Sequence, residues 1–181
     1  MEHVVNWRLD LMLSHPRLFE IMSDEPHLSF GYPNCEEGWR EILETLCTRI
    51  ETALQEDETF QFVRIKQKFG ILRIDHDYAG PAETEAAIGH AVDLGVSRST
   101  CTCEICGAEG RLYSNRGWLG TRCGEHATGD PVPPKYGLGF ENVRLLRRWR
   151  GRADVYYARY DRETDTLTEV PPAARTDPGD R

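Results

Sequence analysis

Apolar positions recur along this chain with two different periods. Between residues 34 and 55 they step by three and four: Trp39, Ile42, Leu43, Leu46, Cys47, Ile50, Ala53 and Leu54. That spacing aligns them on one face of an α-helix, expected to be the central core helix and to end near Gln55. Asn34 reads as its N-cap and Glu37, three residues on, as the capping-box partner. Gly38 in the first turn costs about 1 kcal/mol relative to Ala, and a close backbone approach is its expected reason. Upstream, Val5, Leu9, Met12 and Leu13 have helical spacing, and Pro16 opens a second short helix to Met22 carrying Leu18 and Phe19. Pro26, Gly31 and Pro33 make 23–33 a loop.

The period drops to two over residues 59–78. TFQFVRIKQ and ILRIDHDY are β-rich runs joined near Lys68-Phe69-Gly70, so a hairpin is expected. Leu72, Ile74, His76 and Tyr78 share one face, with Arg73, Asp75 and Asp77 on the other. Pro81 suits the first position of another helix, with Glu83 and Glu85 in its first turn, Ile88, Ala91 and Val92 inward, and Gly95 as its stop. The run FENVRLLRRWRGR at 140–152 fits helix or strand. DVYYARYDRETDTLTEV reads as a second hairpin turning at Glu163-Thr164-Asp165, and PPAARTDPGDR as a disordered tail. The fold class expected is α+β, with helices packed on a small antiparallel sheet and a zinc-knuckle module. The boundaries are an acidic α+β part at 1–98, the knuckle module at 99–128, an Arg-rich segment and hairpin at 129–170 and a tail at 171–181, all within one compact domain.

The knuckle module rests on four residues. Cys103 and Cys106 form a C-E-I-C-G turn, and Cys123 and His126 form C-G-E-H. Each pair has two residues between its ligands, and the two pairs together fit a tetrahedral zinc site of three thiolates and one imidazole. Four protein ligands leave no position for water, so structural Zn2+ is the cofactor expected. Disulfides or free thiols are the alternative. Cys101, two residues before Cys103, could replace one ligand only by spoiling the knuckle spacing. Cys47 falls on the core face as a small hydrophobe. Cys35 lies near a helix N-terminus, where a thiolate would be stabilised, though packing near Trp39 is the expected role.

The 181 residues suffice for one sizeable domain or two small ones. No stretch approaches the roughly 20 apolar residues of a membrane span, and no basic-then-apolar leader opens the chain. With its unpaired thiols, the chain is expected in a reducing cytoplasm. Net charge is −8, but residues 1–97 carry −10, residues 98–152 carry +5 and the rest −3. The two halves could attract each other within the fold or face a partner. The overall sign disfavours non-specific DNA binding by the whole molecule.

Two clusters remain. Arg144, Arg147, Arg148, Arg150 and Arg152 surround Trp149. This run suits an acidic protein surface or a nucleic-acid backbone, and a solvated or internally paired face is the bland reading. Asp75-His76-Asp77 beside cysteine knuckles is similar to HNH-type metal-dependent nucleases. In those enzymes the cluster lies between the two knuckle pairs, whereas here it precedes the first, and no downstream Asn/His metal pair is evident. No catalytic residue is assigned.

Several pieces together resemble a family of small uncharacterised proteins of tailed phages and prophage regions. They are HPRLF at 15–19, C-E-E-G-W at 35–39, I-K-Q-K-F-G-I-L-R at 65–73, and the two knuckles. Glu36 stands where the family pattern often has Gly. The resemblance implies a phage or mobile-element context in a bacterial host and carries over no activity. The function expected is binding to a partner protein, with inhibition of a host defence complex as one form. Zinc-ribbon-like nucleic-acid binding through the Arg144–Arg152 segment and, last, an HNH-like nuclease are the alternatives.

Overall fold

The computed structural model describes residues 6–133, 142–147 and 155–171. Among these residues the fold is α+β, with three α-helices and three small, mostly antiparallel sheets. The helices are α1 (Trp7–Ser14), α2 (Arg40–Ala53) and α3 (Ala82–Ser99). The first sheet has the order β1 (Pro33–Asn34), β2 (Thr59–Lys68), β3 (Ile71–Ala79), with β1 parallel and β3 antiparallel to β2. The second has β5 (Trp118–Arg122), β4 (Arg111–Asn115), β6 (Asp130–Pro131), and the third β7 (Val143–Arg147), β8 (Val155–Asp161), β9 (Thr166–Glu169). No helix among the described residues is long and apolar enough to cross a membrane.

The main core forms where α1, α2 and α3 bury their apolar faces against β2 and β3. Trp39, Ile42, Leu43, Leu46, Cys47 and Ile50 of the α2 region meet Leu11, Met12, Phe60, Phe62, Ile65, Leu72 and Ile88. The α2 face is therefore the one its periodicity dictates, but its entry differs. Asn34 is not the cap, because its backbone pairs with Lys66 as part of β1. A single turn of 3-10 helix over Glu37–Trp39 then leads into α2, and no side chain caps it.

Three further expectations are corrected. In α1 the inward residues are Trp7, Leu11 and Met12, while Leu13 is 60% exposed. Indole burial at Trp7 sets a face one step away from the Leu9–Leu13 stripe, and Val5 lies outside the described residues. Residues 16–22 form no helix: Leu18 and Phe19 are buried, but the Leu18 carbonyl accepts from Phe62 N–H at 3.0 Å, and Met22 is 51% exposed. Helix α3 does not stop at Gly95 but continues to Ser99. A Cβ at Gly95 would stand 3.6 Å from Ile42 Cγ2, an ordinary contact, so the helix passes α2 here with no steric need for the glycine.

The β2–β3 hairpin turns at Phe69-Gly70, both with positive φ (56° and 80°), the two-residue turn whose twist matches paired strands. Residues β4 and β5 repeat the device at Arg116-Gly117, with φ of 50° and 87°. The segment 140–152 resolves its ambiguity as strand at Val143–Arg147, and the C-terminal hairpin turns where expected. Its Tyr160 packs with Leu94 and Cys101 in a second, smaller apolar cluster.

Candidate metal centre

Two chain reversals bring the four ligand candidates together. The first follows α3 directly: Cys103 N–H donates to Ala108 O at 2.8 Å and Gly107 N–H to Cys103 O at 2.9 Å. Gly107 sits at φ 77°, a conformation that L side chains rarely adopt. The second follows β5, where His126 N–H donates to Cys123 O at 3.2 Å. The β4–β5 hairpin sets the distance between the reversals. The donor atoms of Cys103, Cys106, Cys123 and His126 all lie within 4.8 Å of one another. Cys123 Sγ is 3.2 Å from His126 Nδ1, Cys103 Sγ is 3.7 Å from the same nitrogen, and Cys106 and Cys123 Sγ atoms are 3.7 Å apart.

The donor set is chemically fit for a metal ion. Burial works to raise the Cys123 thiol, but the backbone and ring of His126 and the N–H of Glu125 outweigh it and hold the thiol down, at about 6. At Cys106 the Ala108 N–H favours the thiolate, while desolvation and the neighbouring Cys103 and Cys123 thiols prevail and push it up. Crowded thiols that compete for protons are what a cation placed among them would relieve. The ordered spacings therefore build a group that could hold a metal ion. Cys101 stays outside it: its buried thiol lies 3.3 Å from Arg98 O, and burial raises its pKa.

The first knuckle is docked on the start of α2. Gly38 N–H donates to Glu104 O at 2.8 Å, and the Trp39 indole N–H donates to Thr102 O at 2.9 Å. A methyl group on Gly38 would come 2.6 Å from both Cys106 N and Glu104 O. The close backbone approach expected for Gly38 is thus made by the first knuckle itself. Glu104 is buried and accepts from Arg122 Nη1 at 2.8 Å, tying the first knuckle to β5. On the other side, Thr121 Oγ donates to Gly70 O at 2.6 Å and Gln67 Nε2 to Leu119 O at 2.7 Å. The segments C-E-E-G-W, K-F-G and the two knuckles, far apart in sequence, thus meet around one centre.

Cys35 is buried in this junction. Burial first, then the charges of Glu104 and Glu36, push its thiol up to about 12 against the opposing Arg8. Cys35 thus shares the core cluster with Trp39, the role expected for it, and α2 starts five residues later.

The arginine run is divided. Arg144 is half-buried and turned toward the body of the fold: its Nη1 lies 3.5 Å from Val96 O, burial lowers its pKa, and the Asp93 charge opposes that. Burial in turn pushes Asp93 up to about 6 against Arg144. Arg144 is thus an internal cation rather than part of an open contact surface, because its strand carries it against α3. Arg147 ends β7, and Arg148, Trp149, Arg150 and Arg152 lie outside the described residues. The attraction between acidic and basic parts is partly internal, since Arg98 meets Glu41 at 3.0 Å, and a separate pair joins Arg49 of α2 to Asp165 of the C-terminal turn at 2.5 Å.

His76 stacks on Phe60, with centroids 5.2 Å apart, and burial lowers its pKa despite Asp77, Asp75 and Glu85. Among the described residues it belongs to no group of three or more metal-ligating side chains. Sequence reasoning missed Glu104 and Arg122, whose pairing only the folded hairpin reveals, and Trp118, which is 83% exposed beside the Arg116-Gly117 turn. The turn dipeptide was the available signal for Trp118. No family model matches this chain, and no curated protein or solved structure matches it either.

Proposed function

We propose that Cys103, Cys106, Cys123 and His126 bind one structural Zn2+, and that the chain is a phage- or prophage-type accessory protein acting by contact with a partner protein. The observation that carries the metal reading is the convergence of all four donors within 4.8 Å from two separate reversals. Three sulfurs and an imidazole suit Zn2+ and disfavour hard cations such as Mg2+. When bound, the ion supplies a cross-link between the first knuckle, which is docked on the start of α2, and the second knuckle that follows β5. These elements meet through few apolar side chains, so the link contributes folding free energy directly.

The binding reading is supported by the sequence. The family resemblance implies a mobile-element context in a bacterial cytoplasm, where an inhibitor of a host defence complex is one accessory role. The arginines around Trp149 offer planar donors suited to carboxylates, and the −8 charge of the whole chain favours an acidic protein patch over a long polyanion. Affinity capture from bacterial cells tests it. A defined host protein should copurify, and reversing Arg147 and Arg148 to Glu should release it while leaving zinc content unchanged. Capture that survives the reversal in a folded variant places the contact elsewhere.

A nucleic-acid reading is favoured by one specific observation, the local charge and aromatic content of the two adjacent hairpin tips.

A further inference from the structure

The β2–β3 and β4–β5 hairpins end side by side. Gln67 Nε2 donates to Leu119 O at 2.7 Å, and Thr121 Oγ to Gly70 O at 2.6 Å, so the two tips are fixed relative to each other. Each tip presents an aromatic ring to solvent: Phe69 is 68% exposed and Trp118 83%. Both rings line one cleft of about 340 Å3, together with Gln67, Lys68, Gly117 and Leu119. A second recess of about 130 Å3 shares Trp118 and Leu119 with this cleft and is also lined by Tyr113 and Arg122. Trp118 thus lines one recess with Phe69 and another with the half-buried Tyr113.

The two hairpin segments themselves carry charge of one sign, while Asp130 belongs to β6, which pairs with β4 at Ser114. Residues 64–73 hold four basic and no acidic side chains, and residues 111–122 hold three and none, in a chain of net −8. Arg64 and Arg73 pair with Asp75, and Arg122 with Glu104. Lys66, Lys68, Arg111 and Arg116 have no ion pair among the described residues. The Lys68 ammonium stands 5.3 Å from the centre of the Phe69 ring. Neither ring closes a core, since Leu112 fills the space beneath Gly70. Exposed rings on adjacent tips, with unpaired cations beside them, are what unpaired bases and their phosphates require. The acidic remainder of the chain does not cancel this, because exposed charges beyond about 8 Å are largely screened at physiological salt.

We propose that the paired hairpin tips bind single-stranded nucleic acid, with bases stacked on Phe69 and Trp118 and phosphates held by Lys68 and Arg116. The strand occupied is short, since the platform offers two exposed rings. This goes beyond the partner-protein reading and does not depend on it, because it uses neither Arg147 nor Arg148.

Fluorescence anisotropy of the full-length, as-purified protein tests it, with a fluorescein-labelled oligothymidylate and an oligouridylate of about 20 nucleotides as probes. At about 50 mM salt one or both strands should bind, and the comparison tells DNA from RNA. Trp118→Ala and Phe69→Ala should each weaken binding by about tenfold. Neutralising Lys68→Gln or Arg116→Gln should lower the slope of log affinity against log salt by about 0.7 each. A duplex of the same length, whose bases are already stacked, should bind far more weakly. Absence of binding by either strand overturns the proposal. So does affinity unchanged by Trp118→Ala, or equal competition by poly-glutamate, which would identify an acidic-polypeptide surface. Both rings are exposed, so loss of the fold is not expected, and unchanged circular dichroism and zinc content in the variants verify it. Failure here leaves partner capture through Arg147 and Arg148 unaffected.

Discussion

Gly38 and Glu104 are joined by a backbone hydrogen bond of 2.8 Å that seats the first knuckle on the start of α2. The contact leaves no space for a side chain, since a Cβ at Gly38 would fall 2.6 Å from two backbone atoms of the knuckle. Main chain cannot yield as a flexible side-chain end can, so Gly38→Ala must displace the knuckle or the helix start. The expected cost is about 1–3 kcal/mol, the range for overpacking, accompanied by weaker metal retention against a competing chelator. Gly124→Ala is the control, because nothing lies within 4 Å of a Cβ there. Equal melting temperatures for the two variants would contradict the docking.

Leu46→Ala should destabilise by about 2–5 kcal/mol, since it empties a fully buried position at the centre of the α2 face. Thr48→Ala, on the exposed side of the same helix, should cost well under half as much. Arg49 would be a poor control, because it pairs with Asp165. Urea denaturation of both variants checks the assignment of faces.

Asp165 ties the C-terminal turn to the helices. Its carboxylate accepts from Tyr160 OH at 2.6 Å and from Arg49, with Arg98 nearby at 3.9 Å. Burial alone would raise its pKa, but these hydrogen bonds and charges hold it below the ordinary carboxylate range. A group depressed in the folded state stabilises fully above its unfolded value of about 4 and loses that stabilisation as pH falls through the folded value. Asp165→Asn should therefore cost about 1–3 kcal/mol at neutral pH. The gap from wild type should stay constant between about pH 6 and 8 and close only below about pH 4. Asn tolerates the positive φ of 51° at this position, so the comparison isolates charge. A gap that widens toward acid would reverse the assignment.

His76→Ala should lose a ring stacked on Phe60 and little else, a destabilisation of about 1 kcal/mol. Incubation of the protein with DNA and Mg2+ or Mn2+ should give no cleavage that this substitution removes. Cleavage abolished by the variant would establish the nuclease reading in place of a binding one.

What the sequence made legible is what repeats locally. The α2 face, the β2–β3 hairpin with its turn at Phe69-Gly70, and the two knuckle spacings are each encoded within a few neighbouring residues. Gly38 announced a close approach without naming the segment that makes it, because the knuckle lies some sixty residues downstream. Asn34 misled for the complementary reason: a good capping side chain was overruled by parallel pairing of its backbone with Lys66. Leu18 similarly gave its carbonyl to Phe62 rather than to a helix. Arg144 looked like surface, and only the placement of β7 against α3 shows its guanidinium beside Val96 O. Charge pairs between distant segments leave no periodic trace, so Glu104 with Arg122 and Arg49 with Asp165 were not legible at all.

The central claim is that Cys103, Cys106, Cys123 and His126 hold one zinc ion that staples the two knuckles to each other. Elemental analysis joined to native mass spectrometry measures it directly, on protein prepared without chelator. The account predicts one zinc per chain, lost in Cys106→Ser and released from wild type as pH falls, since protons compete for the thiolates. Release should be accompanied by loss of thermal stability. Absence of metal from folded wild-type protein, or full zinc occupancy in Cys106→Ser, would contradict it.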